Sequence, residues 1–218
     1  MSTTIKRIFC NRFAVLLLAA TLAAPFYMSG QAANAAESIL QKTVDKIKGS
    51  PSLRVHFTVS QGKEKTEGEM VMSGSCFAMS VANGSFETWF DGKTQWTWGS
   101  STNEVNMTQP TAAELMETNP LVILDGATKD YKTSLIKNDA AKAELRLIPI
   151  GTKKNDIKEA ILNINKMSNF PDALKVTLKD GQNIEFNFLG ITVGKQLQPK
   201  DFRYDTVYHP DAEIIDLR

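Results

Sequence analysis

The feature that most constrains this chain is a period-two alternation that starts at Leu53 and recurs almost to the C-terminus. Val55, Phe57 and Val59 alternate with Arg54, His56 and Thr58; Met70 and Met72 follow, then Phe77, Met79 and Val81. Neighbouring side chains of a strand point to opposite faces, so this spacing predicts strands with one apolar face. Between the runs stand Asn83-Gly84, Asp91-Gly92 and later Asp180-Gly181. Such pairs tolerate the positive φ of a type I′ turn, and together with the strands they predict an antiparallel meander. Further strands are expected over 144–149, 157–166, 173–179 and 183–189, with a final one around 202–207. In two of them a single apolar face is explicit: Leu174, Val176 and Leu178, then Ile184, Phe186 and Phe188.

Two stretches break the alternation. Residues 36–48 place Ile39, Leu40, Val44 and Ile47 on one helical face, with Lys42, Asp45, Lys46 and Lys48 opposite and Gly49-Ser-Pro51 as the stop. Near 108–126, Thr111 and Glu114 have the spacing of a capping box. Asn119-Pro120 then reads as N-cap and first-turn proline of a short helix closed by Gly126. A large antiparallel sheet buries its apolar face by closing on itself, by meeting a second sheet, or under helices. These short apolar-faced helices suit the third solution, a mainly β, α+β domain. No internal repeat or linker divides residues 36–218, which are expected to form one domain.

The N-terminus has a different logic. Lys6, Arg7 and Arg12 flank the apolar run Phe13–Ala24, and Ala33-Asn34-Ala35 supplies an A-x-A pattern. Residues 1–35 therefore read as a cleaved secretory signal peptide. Cys10 precedes the apolar run, so it is no lipid-attachment site and leaves with the signal. Cys76 is then the only cysteine of the mature chain and is expected to be a small buried hydrophobe.

Charge and chemistry narrow the function. The chain has 25 basic and 24 acidic residues; the first 35 residues hold three of the basic ones and none of the acidic ones. The body is thus near neutral, with no basic patch for nucleic acid. There is no G-x-S-x-G elbow, H-E-x-x-H pair or glycine-rich phosphate loop. His56 and His209 are far apart in sequence and are read as non-catalytic, and no metal or cofactor is expected. Such a chain is expected to be a binding protein and not an enzyme.

The order of elements resembles the periplasmic outer-membrane lipoprotein carrier proteins (LolA-type). The matching pieces are the leading helix with Leu53-Arg-Val-His-Phe-Thr-Val59 and Gly68-Glu-Met-Val-Met72, then Trp89-Phe-Asp-Gly-Lys-Thr-Gln-Trp96 and Asn119-Pro-Leu-Val-Ile-Leu124. Leu197-Gln-Pro-Lys-Asp-Phe-Arg-Tyr204 and the ending His209–Arg218 complete the set. The resemblance implies an open, strongly curved antiparallel half-barrel whose apolar concave face is covered by lid helices. It also implies a monomeric periplasmic carrier of acylated lipoproteins, with an inner-membrane ABC transporter as donor and an outer-membrane acceptor as recipient. On that basis the acyl-chain cavity wall is assigned to Val55, Phe57, Met70, Met72, Phe77, Met79, Trp96, Trp98, Phe186 and Phe188. Leu115, Leu121 and Leu124 are assigned to the lid. The family often has an arginine just before the strand that here begins at Cys76, tethering the closed lid; this chain has Ser73-Gly74-Ser75 there. A periplasmic lipid or lipoprotein sensor on the same half-barrel is the alternative function.

Overall fold

The computed structural model describes residues 24–111, 114–115, 118–124, 126–151 and 156–218. Helix α1 (Ala24–Lys48) leads into six strands: β1 (Ser52–Gln61), β2 (Glu64–Ser73), β3 (Cys76–Val81), β4 (Phe86–Phe90), β5 (Gln95–Gly99) and β6 (Glu104–Thr108). A 3-10 turn (Pro120–Leu124) and the short helix α2 (Ala127–Asp130) precede β7 (Tyr131–Asn138), β8 (Lys142–Pro149), β9 (Ile157–Asn165), β10 (Pro171–Leu178) and β11 (Asn183–Gly194). A second 3-10 turn (Pro199–Phe202) and β12 (Glu213–Asp216) end the chain. The expected helix over 36–48 is the C-terminal half of α1, which passes through the Ala35–Ala36 bond.

The twelve strands of the described residues form one curved, open sheet in the order β12-β6-β5-β4-β3-β2-β1-β11-β10-β9-β8-β7. Two antiparallel meanders, β1–β6 and β7–β11, are joined by the β1–β11 pairing. This order has a topological consequence. Strand β6 lies one strand from one edge and β7 forms the other, so the link between them must cross the whole sheet. It crosses on the inner face, where Leu121, Ile123 and Leu124 join α1 in one apolar core. The cover is thus a product of connectivity as well as of apolar pattern.

Several expectations are corrected. Only Asn83-Gly84 has positive φ at both residues. At Asp91-Gly92 and Asp180-Gly181 only the glycine does, because each aspartate carboxylate accepts backbone N–H groups beyond the turn and keeps its own backbone out of the left-handed region. The helix expected after Asn119-Pro120 is the 3-10 turn Pro120–Leu124, and Gly126 begins α2 instead of closing it. The strand expected around 202–207 is absent. There, Gln198 and Asp201 form a reciprocal capping box with Pro199 inside it, which winds the backbone into a turn. The alternation of Phe202 and Tyr204 serves to cover a sheet face, and the final strand is β12, parallel to β6. Strand β7 carried too little alternation to be foreseen.

Candidate functional site

Register assigns each wall residue to a face. Across β1–β2–β3–β4–β5–β6 one row runs Leu53, Met72, Phe77, Phe90, Gln95, Thr108, and the next runs Val55, Met70, Met79, Thr88, Thr97, Asn106. Directly paired residues share a face, so these rows and the core define the inner face. Phe57 pairs with Phe188 and Val59 with Phe186, which extends that face onto β11. A bulge between His56 and Phe57 keeps the phase and turns Leu189 outward, where it is 64% exposed. Val55, Phe57, Met70, Met72, Phe77, Met79, Phe186 and Phe188 therefore share one surface.

Trp96 and Trp98 do not. They pair with Trp89 and Met107 and with Glu87 and Val105, all on the outer face. Their removal from the wall is a correction, and its cause is phase. In Trp89-Phe90 and Gln95-Trp96 the apolar residues run through both parities, so composition alone does not tell inside from outside. The C-terminal segment covers this aromatic outer face. His209 stacks on Trp98 with ring centroids 3.6 Å apart, and its Nε2 lies 3.0 Å from Glu87 Oε2. Tyr204 and Tyr208 pack on Trp89, and the Tyr204 hydroxyl donates to the His209 carbonyl.

Arg203 fastens the segment to the β4–β5 turn, its Nε donating to Asp91 Oδ2 at 2.9 Å. Burial opposes the Asp91 charge. Even so, the Thr94 and Lys93 N–H groups and the Arg203 guanidinium hold its carboxyl below the usual aspartate range. Cys76 is buried and its thiol pushed up by burial, as expected of a packed and unreactive cysteine.

The cover of the inner face is uneven. Over β7 and β8 it is α1, whose Leu40 and Ala36 are fully buried and whose Lys46 ammonium sits 5.3 Å above the Phe170 ring. Near β1 and β2 it is the 3-10 turn. Asn119 caps that turn from within, its Oδ1 accepting from the Leu121 N–H at 3.0 Å in a buried setting. Just before it, the predicted Thr111–Glu114 capping box is formed, with Glu114 Oε2 accepting from the Thr111 hydroxyl at 2.8 Å. Leu115 is half-buried and packs against the core.

Between turn and helix a cavity of about 250 Å³ remains, bounded by Val44 and Ile47 of α1, Leu53 and Met72 of the sheet, and Leu121 and Leu124 of the turn. Lys48, Ser50, Ser75 and Asn119 complete a mixed lining that opens to solvent; by volume alone, against the roughly 150 Å³ that holds one benzene, it has room for about ten carbons. Of the assigned residues, Met72, Leu121 and Leu124 line it. Val44, Ile47 and Leu53 were missed, although the apolar face of the 36–48 helix was already the signal for two of them. The Ser73-Gly74-Ser75 turn stands at its rim. Ser73 is buried and pins chain segments together, its hydroxyl donating to the Pro51 carbonyl and accepting from Gln196 Nε2. No helix among the described residues is long and apolar enough to cross a membrane.

The family model described as outer membrane lipoprotein carrier protein LolA matches residues 27–182. A search of curated proteins finds no match. Among solved structures, an uncharacterized conserved protein from Thermus thermophilus superposes with a TM-score of 0.56 at 13% identity, covering 84% of this chain and 99% of that one. A putative outer membrane lipoprotein-sorting protein domain from Vibrio parahaemolyticus gives 0.47 at 9% identity, covering 78% and 97%. A LolA superfamily protein from Nitrosomonas europaea gives 0.45 at 14% identity, covering 78% and 98%.

Proposed function

This chain belongs to the outer membrane lipoprotein carrier protein LolA family, and from that premise we propose that it is a periplasmic carrier of lipoprotein acyl chains. The observation that carries the reading is the short turn Pro120–Leu124 plugging the apolar inner face of β1–β3 beside a cavity. The proposed wall is Val55, Phe57, Met70, Met72, Phe77, Met79, Phe186 and Phe188, widened by Leu53, and the proposed plug is Leu121 and Leu124 with Leu115 beside it.

The physics of release favours such a plug. Burying a methylene contributes about 0.8 kcal/mol, so a sixteen-carbon chain gains about 12 kcal/mol from full burial. A rigid open cavity would hold several such chains too tightly to hand them on. A cavity of about ten carbons is too small for them unless the plug leaves. Exposing two buried leucines costs about 1.5–3 kcal/mol each and subtracts from the gain. The Asn119 cap lets the plug keep its own backbone bond as it moves, which supports release without the arginine tether. In this reading residues 1–35 direct export and are removed, and the donor and acceptor are an inner-membrane transporter and an outer-membrane protein.

Native mass spectrometry of the mature protein, purified after export, tests this. Co-purifying acylated material, together with uptake of a triacylated lipopeptide by the emptied protein, is the expected result. An empty protein that takes up no lipopeptide contradicts the carrier reading.

A further inference from the structure

Along the inner face the side chains change character from β3 to β6. On β1–β3 the two central rows are Leu53, Met72, Phe77 and Val55, Met70, Met79; on β4–β6 they become Phe90, Gln95, Thr108 and Thr88, Thr97, Asn106. A sheet face that only had to be covered would gain nothing from this change, because buried polar atoms need partners. Among the described residues, two of these atoms have none. Thr88 is 0% exposed and its Oγ1 is unpartnered; Gln95 is 8% exposed and its Oε1 is unpartnered, although its Nε2 donates to Thr97 Oγ1 at 3.2 Å. They are diagonal neighbours through the Thr88–Thr97 and Phe90–Gln95 pairs. Thr97, Asn106 and Thr108 beside them are half-buried, so the polar strip grades outward toward the β6 side.

The chemistry of the two orphan atoms is complementary. A hydroxyl has a proton to donate, and an amide oxygen only accepts. Together they suit a guest that presents a carbonyl oxygen next to an N–H. The nine inner-face positions of β4–β6 carry one charged residue, Glu104, and no cation. A phosphodiester would meet no counter-charge there. We propose that Thr88, Gln95 and Thr97 form a hydrogen-bonding subsite for the uncharged ester and amide groups that join acyl chains to a lipoprotein's polypeptide, with the chains themselves lying over Met70, Met72 and Met79. From Met72 to Gln95 is three strand spacings, about 14 Å. The face thus orients its guest, tails toward β1–β3 and linkage toward β5–β6. This subsite rests on the carrier reading and goes beyond it, because it makes the protein selective for linkage chemistry as well as for alkyl chains.

The test uses the mature protein and its Thr88→Val and Gln95→Met variants, each close to isosteric. Two probes are titrated: a tripalmitoylated cysteinyl lipopeptide, and the pure hydrocarbon fluorophore diphenylhexatriene. Thr88→Val replaces an unpaired polar atom by an apolar one of similar shape, so its melting temperature stays equal or rises, whereas Gln95→Met also gives up the bond to half-buried Thr97 and its melting temperature falls by a few degrees at most. The expected result is a loss of about 5- to 10-fold in lipopeptide affinity for each variant, with hydrocarbon affinity within about twofold of the parent. Equal lipopeptide affinity in all three proteins, or parallel loss of both probes, overturns the subsite while leaving the carrier reading in place. A parent protein that binds neither probe overturns both.

Discussion

The two meanders of this sheet share one alternation rule and end in opposite conditions. On β8–β10 the inner residues Leu145, Leu147, Ala160, Leu162, Ile164 and Leu174 are almost fully buried, in one core with α1, which lies against β7 and β8. On β2–β3, Met70 and Phe77 are as buried, but Met72, Met79 and Val81 beside them are only partly so. What differs is the cover. A long helix anchored through Leu40, Val44 and the Lys46–Phe170 contact closes one half, and a turn of five residues plugs the other. The comparison teaches that what the connecting chain lays over an apolar strand face decides how tightly that face is packed.

The largest expected effect separates the halves most sharply. Leu162→Ala in the helix-covered half should cost about 2–5 kcal/mol in urea unfolding, because a well-packed site collapses poorly around a lost side chain. Met72→Ala, beside an existing cavity, should cost less than half of that. Equal costs would mean that the plugged half is as tightly packed as the other. Next comes Gly68. A Cβ there would sit 2.6 Å from Phe57 Cζ and 2.8 Å from Val81 Cγ1, so the glycine lets the Phe57 ring lie across β2. Gly68→Ala should destabilise by about 1–3 kcal/mol through overpacking, read as a fall in melting temperature.

A smaller effect belongs to the C-terminal segment. Arg203→Gln breaks the tie to Asp91; with Arg203 largely in solvent, screening limits the loss to about 0.5–1 kcal/mol. The sign of its pH dependence follows from the lowered Asp91 pKa. A carboxyl that titrates lower in the folded state stabilises the protein above its unfolded value of about 3.9, and that stability is lost as pH falls through the folded value. Fluorescence of Trp89 and Trp98 beneath the segment should therefore change at higher pH in Arg203→Gln than in the parent on acid titration. Coincident acid transitions would show that Arg203 does not hold the segment. Smallest of all, Leu189→Ser at the outward bulge should move stability by less than about 0.5 kcal/mol.

Much of this was legible in the residues, and the failures have physical causes. The run Leu53–Val59 and the pair Leu174/Val176 declared both strand and face, because their alternation is clean. The Trp89–Trp98 hairpin did not, because apolar residues occupy both parities where a second layer covers the outer face, and that layer, Tyr204 to His209, lies more than a hundred residues later. The cavity is a still longer-range object. Val44, Leu53, Met72 and Leu121 meet only because the β6–β7 link must traverse the sheet, a fact of strand order and not of local pattern. Thr88 and Gln95 are ordinary strand residues until burial and the absence of partners single them out.

The central claim is that the Leu121 turn is a plug that a guest must displace. Its most direct test is lipopeptide affinity, measured by titration, in Leu121→Ala beside Leu162→Ala. Trimming a plug destabilises the empty protein yet lowers the cost of opening it, so Leu121→Ala should bind lipopeptide more tightly than the parent, by about tenfold for each ~1.4 kcal/mol removed. Leu162→Ala, equally buried but on β9, away from the turn and its cavity, should bind as the parent does. Weaker or unchanged binding by Leu121→Ala would mean that the turn is a fixed part of the wall, and would contradict the account.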